Sequence, residues 1–379
     1  MVKHMAKNSL ISLPLWLTLF LMATTLLSPI CVKAFTLNFV EGSDIDTLDP
    51  AITRSRPTEI VTEHLFNHLV KWKDTKLSDI VPDLADSWKV SNDGLNWTFK
   101  LKKGIKFHDG TSFNSEAVKF NLERILDPKF GSPNRAYFAS IKKITIIDDN
   151  TVSFETDKPD ATLLESLVAT PGSISSPEAI KKWGKDYGQH PVGTGPYKLK
   201  EWIPGERCVI ERYDGYFGKR SNPDVIMYRP VPEGGARMVE LESGNADIVN
   251  RIPPEAADQL KKNPRVKLLV VPSTFQIWFE LNHTRPPFND IRIRKAVNYA
   301  IDRKAIVEKL LGGYGSIPDG PFTPGVQGRV ALKPYPYDLE GAKKLLAEVY
   351  PEGYKEKIII WTTEGRYMKD KIVSEAVQG

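Results

Sequence analysis

The chain has 379 residues, of which 41% are hydrophobic and 26% charged, a globular profile long enough for two or three domains with real cores. Its 52 basic and 47 acidic residues give a formal charge of +5, with no Lys/Arg block and no aromatic-basic stripe, which argues against a nucleic-acid binder. Two cysteines rule out a disulfide-rich scaffold, and the 28 prolines and 26 glycines are spread as turn markers rather than clustered as low complexity.

Residues 1–34 differ from the rest. Lys3 and Lys7 precede an apolar run from Leu10 to Ile30, and Val32-Lys33-Ala34 resembles a small-x-small cleavage site, so this segment reads as a secretory signal peptide with the mature chain starting at Phe35. An uncleaved anchor is the competing reading, because the run is long, and lipidation at Cys31 is disfavoured by Pro29 and Ile30. Cleavage removes three lysines and no acid, which lowers the charge to +2, and leaves Cys208 alone as a buried, inert thiol.

A strand is predicted over Phe35–Val40, then a turn through Asp46–Pro50 and a helix from about Pro57. That helix carries His64 and His68 four residues apart, a spacing that can bind metal, but no third ligand follows at a zinc-site spacing, so surface or packing roles are expected. From Ile80 the pattern is strand-rich. Trp88–Val90 and Leu95–Leu101 alternate about Asn92-Asp93-Gly94, which predicts a hairpin. Asn114 is a helix N-cap, with Phe113 and Val118 as a staple and Val118, Leu122, Ile125 and Leu126 as the buried stripe. Ile144–Asp157 predicts a second hairpin, and 161–169 and 177–187 read as helices.

Pro191–Tyr197 packs two glycines and two prolines into seven residues, which fits an ordinary surface turn or a sharp crossing between domains. Strands are expected over 197–202, 207–213 and 225–230, a helix over 233–243 and a strand ending at Val249. Asn250 and Arg251 fall just past that strand, where open α/β sheets bind ligands. In Thr274–Asn282, Phe275, Ile277, Phe279 and Leu281 alternate with Gln276, Trp278, Glu280 and Asn282, which predicts a half-buried strand whose polar-aromatic face is either solvent-facing or a ligand wall. Asn289 and Asp302 are expected to cap successive helices, stopped at Gly312-Gly313, with the first helix's stripe at Ile293, Ala296, Val297, Ala300 and Ile301. A tyrosine-rich loop and then a helix within Pro334–Val349, a strand over Lys357–Thr362 and a helix over 367–378 complete the reading.

Several stretches carry a family resemblance. GLNWTFKLKKGIKFHDGTSFNSEAVKFNLERILDP, PVGTGPYKLKEWIPGERCVIERYDGYFG, the Thr47–Pro50 turn, Gly244–Val249 and PPFNDIRIRKAVNYAIDR resemble segments of the extracytoplasmic solute-binding proteins of family 5, the dipeptide/oligopeptide/nickel type that serves ABC importers. The resemblance covers nearly all of 35–379 and implies an α/β, periplasmic-binding-protein-like (type II) bilobal fold with an inserted extra domain and a C-terminal part still to follow. It implies a signal peptide at 1–34, core domain I at 35–74 and 191–283, inserted domain II at 75–190, and domain III, incomplete, at 284–379.

The implied activity is capture of a peptide-like solute by lobe closure and delivery to a membrane permease, in the periplasm, as a monomer, with no cofactor, no metal and no catalysis. A nickel chelate, an opine or an oligosaccharide is the alternative ligand within the family. A secreted hydrolase lacks its motifs here, and a sensory or chaperone module on the same fold is the third class. His108 and Asp109 invite a catalytic reading but lie in a segment the family uses structurally. By alignment with the family the expected ligand-binding residues are Arg54, Ser55 and Arg56 after the first turn, Tyr137 in the Ser132–Tyr137 loop, Asn250 and Arg251, and Trp278 with Glu280. The three arginines imply a ligand with a carboxylate or other acidic group, with Glu280 neutralising one of them.

Overall fold

A computed structural model describes residues 35–379 except 76, 78, 325, 327, 328, 365 and 366. The signal-peptide reading of 1–34 lies outside the described residues.

Strand β1 (Thr36–Glu41) forms the middle of a parallel trio. It pairs in parallel with β10 (Val225–Pro230) on one side and with the short β11 (Ile248–Val249) on the other. Antiparallel β9 (Arg207–Arg212) and β8 (Tyr197–Ile203) extend the sheet to the order β11-β1-β10-β9-β8. Helix α1 (Arg56–Leu65), opened by Pro57, lays Val61 and Leu65 on this sheet, where they join Phe66, Tyr197, Cys208, Ile210, Ile226 and Tyr228 in one core.

A second sheet follows the short antiparallel pair β2 (Val70–Trp72) and β3 (Ile80–Pro82). Its strands β4 (Ala85–Val90), β5 (Asn96–Leu101), β6 (Ile141–Asp148) and β7 (Thr151–Thr156) take the order β4-β5-β7-β6, all antiparallel. Helix α2 (Ser115–Leu126) begins as expected, with Asn114 accepting from the Ala117 amide at 3.1 Å. Its buried Val118, Leu122 and Ile125 join Trp97, Phe99, Leu101, Val152 and Phe154, each large apolar side chain contributing about 1.5–3 kcal/mol. Helices α3 (Leu163–Val168) and α4 (Pro177–Trp183) complete this layer.

Pro191–Pro196 threads from the second sheet's layer back into the first, and both glycines are needed for close approach. A Cβ on Gly193 would lie 2.1 Å from the Leu65 carbonyl oxygen, and one on Gly195 would lie 2.4 Å from that of His64. On the other flank, the Gly193 amide donates to His108 Nδ1 at 3.3 Å and His108 Nε2 donates to the Gly195 carbonyl at 3.0 Å. Both ring nitrogens are therefore used by the neutral imidazole, and burial pushes its pKa down to about 4.

Helices α5 (Gly234–Glu242) and α6 (Ala257–Lys262) follow β10 and β11, and α7 (Ile291–Ala300) packs on α8 (Leu339–Val349) ahead of α9 (Asp370–Gln378). Here three expectations are corrected. Thr274–Asn282 forms no strand: no neighbouring strand supplies a ladder among the described residues, and Phe275 and Ile277 are exposed. Lys357–Thr362 forms none either, and Ile358, Ile359, Ile360 and Trp361 lie exposed. Asp290, not Asn289, caps α7, because its carboxylate accepts from the Arg292 amide at 2.8 Å and is clasped by the same residue's guanidinium. In that helix Ile293 and Ala296 are buried, Val297 is half-buried and Ala300 is exposed.

Candidate ligand-binding site

The three parallel strands β1, β10 and β11 all end at one edge of the first sheet, at Glu41, Pro230 and Val249. A shallow surface depression with room for no more than about 10 Å³ opens there, lined among others by Phe39, Glu41, Ser43, Ile60, Tyr228 and Pro230. Glu41 organises the edge. Its Oε1 accepts from the Gly42 amide at 2.8 Å and lies 3.2 Å from Arg251 Nε, and its Oε2 accepts from Asn250 Nδ2 at 2.8 Å. The Asn250 amide donates to the Val40 carbonyl at 3.0 Å, so β11 delivers Asn250 and Arg251 beside the end of β1. Arg251 is left-handed, with φ +56°. Glu41 is thus a carboxylate that faces Arg251.

A second part of the edge is held by the other sheet's layer. Arg124 on α2 makes a bidentate pair with Asp49, at 3.0 and 2.5 Å. Ser132 Oγ donates to the Ala51 carbonyl at 2.5 Å, and Asn134 Nδ2 donates to that of Thr53 at 2.9 Å. The loop leading to Tyr137 therefore pins the backbone leading to Arg54. Arg54 is exposed, Ser55 is half-buried at the start of α1, and Tyr137 is 43% exposed. Arg56 lies along α1, within 3.1 Å of Glu59 and 3.5 Å of Glu63.

The structure thus joins Asn250 to Arg251 through Glu41, and the Arg54–Arg56 segment to the Tyr137 segment through Ser132 and Asn134. Trp278, 64% exposed, and the exposed Glu280 sit in the irregular stretch and share no contact with either group among those described. The remaining singled-out residues have packing partners. Asp109 accepts from Ser176 Oγ at 2.7 Å and Thr111 Oγ1 at 2.6 Å, an N-cap brace for α4. His68 lies beyond the end of α1, bonded to Ser173 Oγ at 3.0 Å, and burial pushes its pKa down to about 4 against the opposing charge of Asp83. Cys208 is buried, and burial pushes its thiol up to about 12. Among the described residues no group of three His, Cys, Asp or Glu is placed to hold a metal.

Two residues beside these groups escaped sequence reasoning: Glu41, and Arg237 on α5, whose Nη2 donates to the Arg251 carbonyl at 2.8 Å. Glu41 stands where the next apolar residue of the Leu37, Phe39 face is due, and an acid at core-facing parity on the last residue of a strand was the available signal. Arg237 carried no such signal, because α5 reads as an ordinary amphipathic turn sequence.

Parallel strands ending together, with paired and hydrogen-bonding side chains gathered at their carboxyl ends, form the place where open α/β sheets bind ligands. Residues 79–379 match the family model described as bacterial extracellular solute-binding proteins, family 5 middle, and the chain belongs to that family. It is 34% identical over 354 residues to the glutathione-binding protein GsiB of Shigella flexneri, covering 93% of this chain and 68% of that one. Among solved structures it is similar to the ABC transporter-associated periplasmic binding protein DppA from Helicobacter pylori in complex with the peptide STSA. That match has a TM-score of 0.76 and 29% identity, covering 83% of this chain and 66% of that one. It is also similar to AgaA from A. tumefacien in complex with agropinic acid, with a TM-score of 0.79, 29% identity and coverage of 91% and 70%. The chain spans about two thirds of the length of these relatives. The family is one of binding proteins rather than enzymes.

Proposed function

We propose that this chain is the receptor of an ABC importer that captures a peptide-like solute carrying a carboxylate, holds it without turnover, and hands it to a membrane permease. The observation that carries the reading is the gathering of Glu41, Asn250 and Arg251 at the ends of β1 and β11, in a chain of the family-5 binding proteins. The glutathione and peptide named for its relatives both bear free carboxylates, which supports an acidic ligand group. Arg54, Ser55, Arg56 and Tyr137 form the second wall of this reading, and Trp278 with Glu280 a third that closes over the ligand. Closure moves the lobes, with differential affinity for the closed state holding the ligand. The division into 35–74 with 191–283, 75–190 and 284–379 is part of the same proposal. So are cleavage before Phe35 and a periplasmic, monomeric life; no helix among the described residues is long and apolar enough to cross a membrane.

Titration calorimetry with reduced glutathione and with matched free-acid and amidated dipeptides tests this. Binding is expected with the free acid favoured at least tenfold, and Arg251→Ala should abolish that preference. No binding to any of these, or hydrolysis of a dipeptide detected by mass spectrometry, overturns it.

A further inference from the structure

Arg237, on α5, is 6% exposed, so its guanidinium has left water almost completely. A buried charge is tolerated only where hydrogen bonds replace hydration. The two terminal nitrogens find them on main-chain carbonyls, while Nε is buried without a partner among the described residues: Nη1 donates to Val231 at 2.8 Å and Pro232 at 2.7 Å, and Nη2 donates to Arg251 at 2.8 Å. Val231 and Pro232 follow β10, and Arg251 follows β11. Since β1 lies between those two strands, one planar fork ties together the exits on both sides of it.

The tie falls on a strained residue. Arg251 has φ +56°, a region non-glycine residues enter at a cost and keep only when their surroundings impose it. Asn250 Oδ1 holds its amide at 2.9 Å, Arg237 holds its carbonyl, and Glu41 lies against its Nε. Gly234, at the start of α5, permits the approach, because a Cβ there would lie 2.7 Å from Pro253 Cγ.

We propose that Arg237 is a positioning residue for the ligand site: through the Arg251 carbonyl it holds the left-handed turn that sets the Arg251 side chain against the end of β1. The proposal rests on Arg251 being a ligand contact. Lysine keeps the charge but lacks the planar fork, so it loses the simultaneous hold on both strand exits.

The test compares the full chain with Arg237→Lys and Arg237→Gln, each with and without Arg251→Gly. Hydrogen exchange is followed by mass spectrometry over 248–253, and affinity is measured for reduced glutathione and the free-acid and amidated dipeptides. In Arg237→Lys, exchange over 248–253 should rise at least tenfold while β1 and β9 stay protected. Glutathione affinity should fall at least tenfold, and the preference for the free acid should shrink. Glycine enters the left-handed region freely. In the Arg251→Gly background, Arg237→Lys should therefore change affinity less than twofold. Unchanged exchange over 248–253 in the lysine variant overturns the proposal, whatever the affinity. Equal affinity losses in both backgrounds also overturn it, because they mark a general structural role. A parent chain that binds none of the probes refutes the functional reading instead, and the exchange measurement still decides whether Arg237 holds the turn. Should the glutamine variant fail to fold, the lysine variant carries the test.

Discussion

Strand β5 and the stretch 274–282 carry nearly the same period-two pattern, with aromatic and aliphatic residues alternating with polar ones. In β5 the pattern is used: Trp97, Phe99 and Leu101 are buried, and β4 and β7 pair with its two edges. In 274–282 Phe275 is 57% and Ile277 48% exposed, no ladder forms among the described residues, and the tethers include Gln276 Nε2 donating to the Gly320 carbonyl at 2.9 Å and the Phe275 ring lying 5.4 Å from that of Tyr367. Alternation encodes a face, but only a neighbouring strand gives the backbone groups partners, and without them no sheet forms.

Truncation is the sharpest way to test that contrast. Phe99→Ala should cost about 3–5 kcal/mol in urea unfolding followed by circular dichroism, as a cavity in a close-packed core does. Equal costs for Phe99→Ala and Phe275→Ala would erase the distinction. Breaking the Arg124–Asp49 pair should rank next. Its side chains are 12% and 3% exposed, so Arg124→Met, which leaves Asp49 buried and uncompensated, should cost about 3 kcal/mol and expose the 49–53 loop to exchange. An unchanged denaturation midpoint would show that the pair does not join the two layers.

Acid should act on the well-packed region through His68 and His108. Their folded pKa values of about 4 lie below the ordinary 6.5, so the unfolded chain binds more protons between those limits. Stability is full above pH 6.5 and falls as pH drops towards 4, by on the order of 1–2 kcal/mol per histidine at pH 5. Unfolding free energies at pH 7.5 and 5 check this, and His108→Asn should flatten the dependence by about half. Phe275→Ala and Trp278→Ala stand at the small end, each within about 0.5 kcal/mol, the range of surface substitutions. A larger loss for Trp278→Ala would mean that the stretch is packed in solution.

What the sequence made legible follows the same division. The Asn114 cap, the α2 stripe and the two hairpins of the second sheet are local signals reinforced by local partners, and they appear where the residues put them. The parallel trio could be read only as alternating strands and helices, since pairing β1 with β10 joins residues nearly half a chain apart. At the candidate site Asn250 and Arg251 were legible from their place after a strand, but their anchor Glu41 comes from the far end of the sequence. Arg237 was illegible because what defines it is three carbonyls, and carbonyls leave no mark in a sequence.

Cys208 lies on β9, 1% exposed, with its thiol pushed up to about 12. At neutral pH it holds almost no thiolate, the form that reacts with alkylating dyes. It is also the only cysteine from Phe35 onward. In a chain cleaved before Phe35, a single new cysteine beside the depression would therefore take a maleimide fluorophore alone, without first replacing Cys208. The fold thus arrives ready for conversion into an optical reporter of its own ligand.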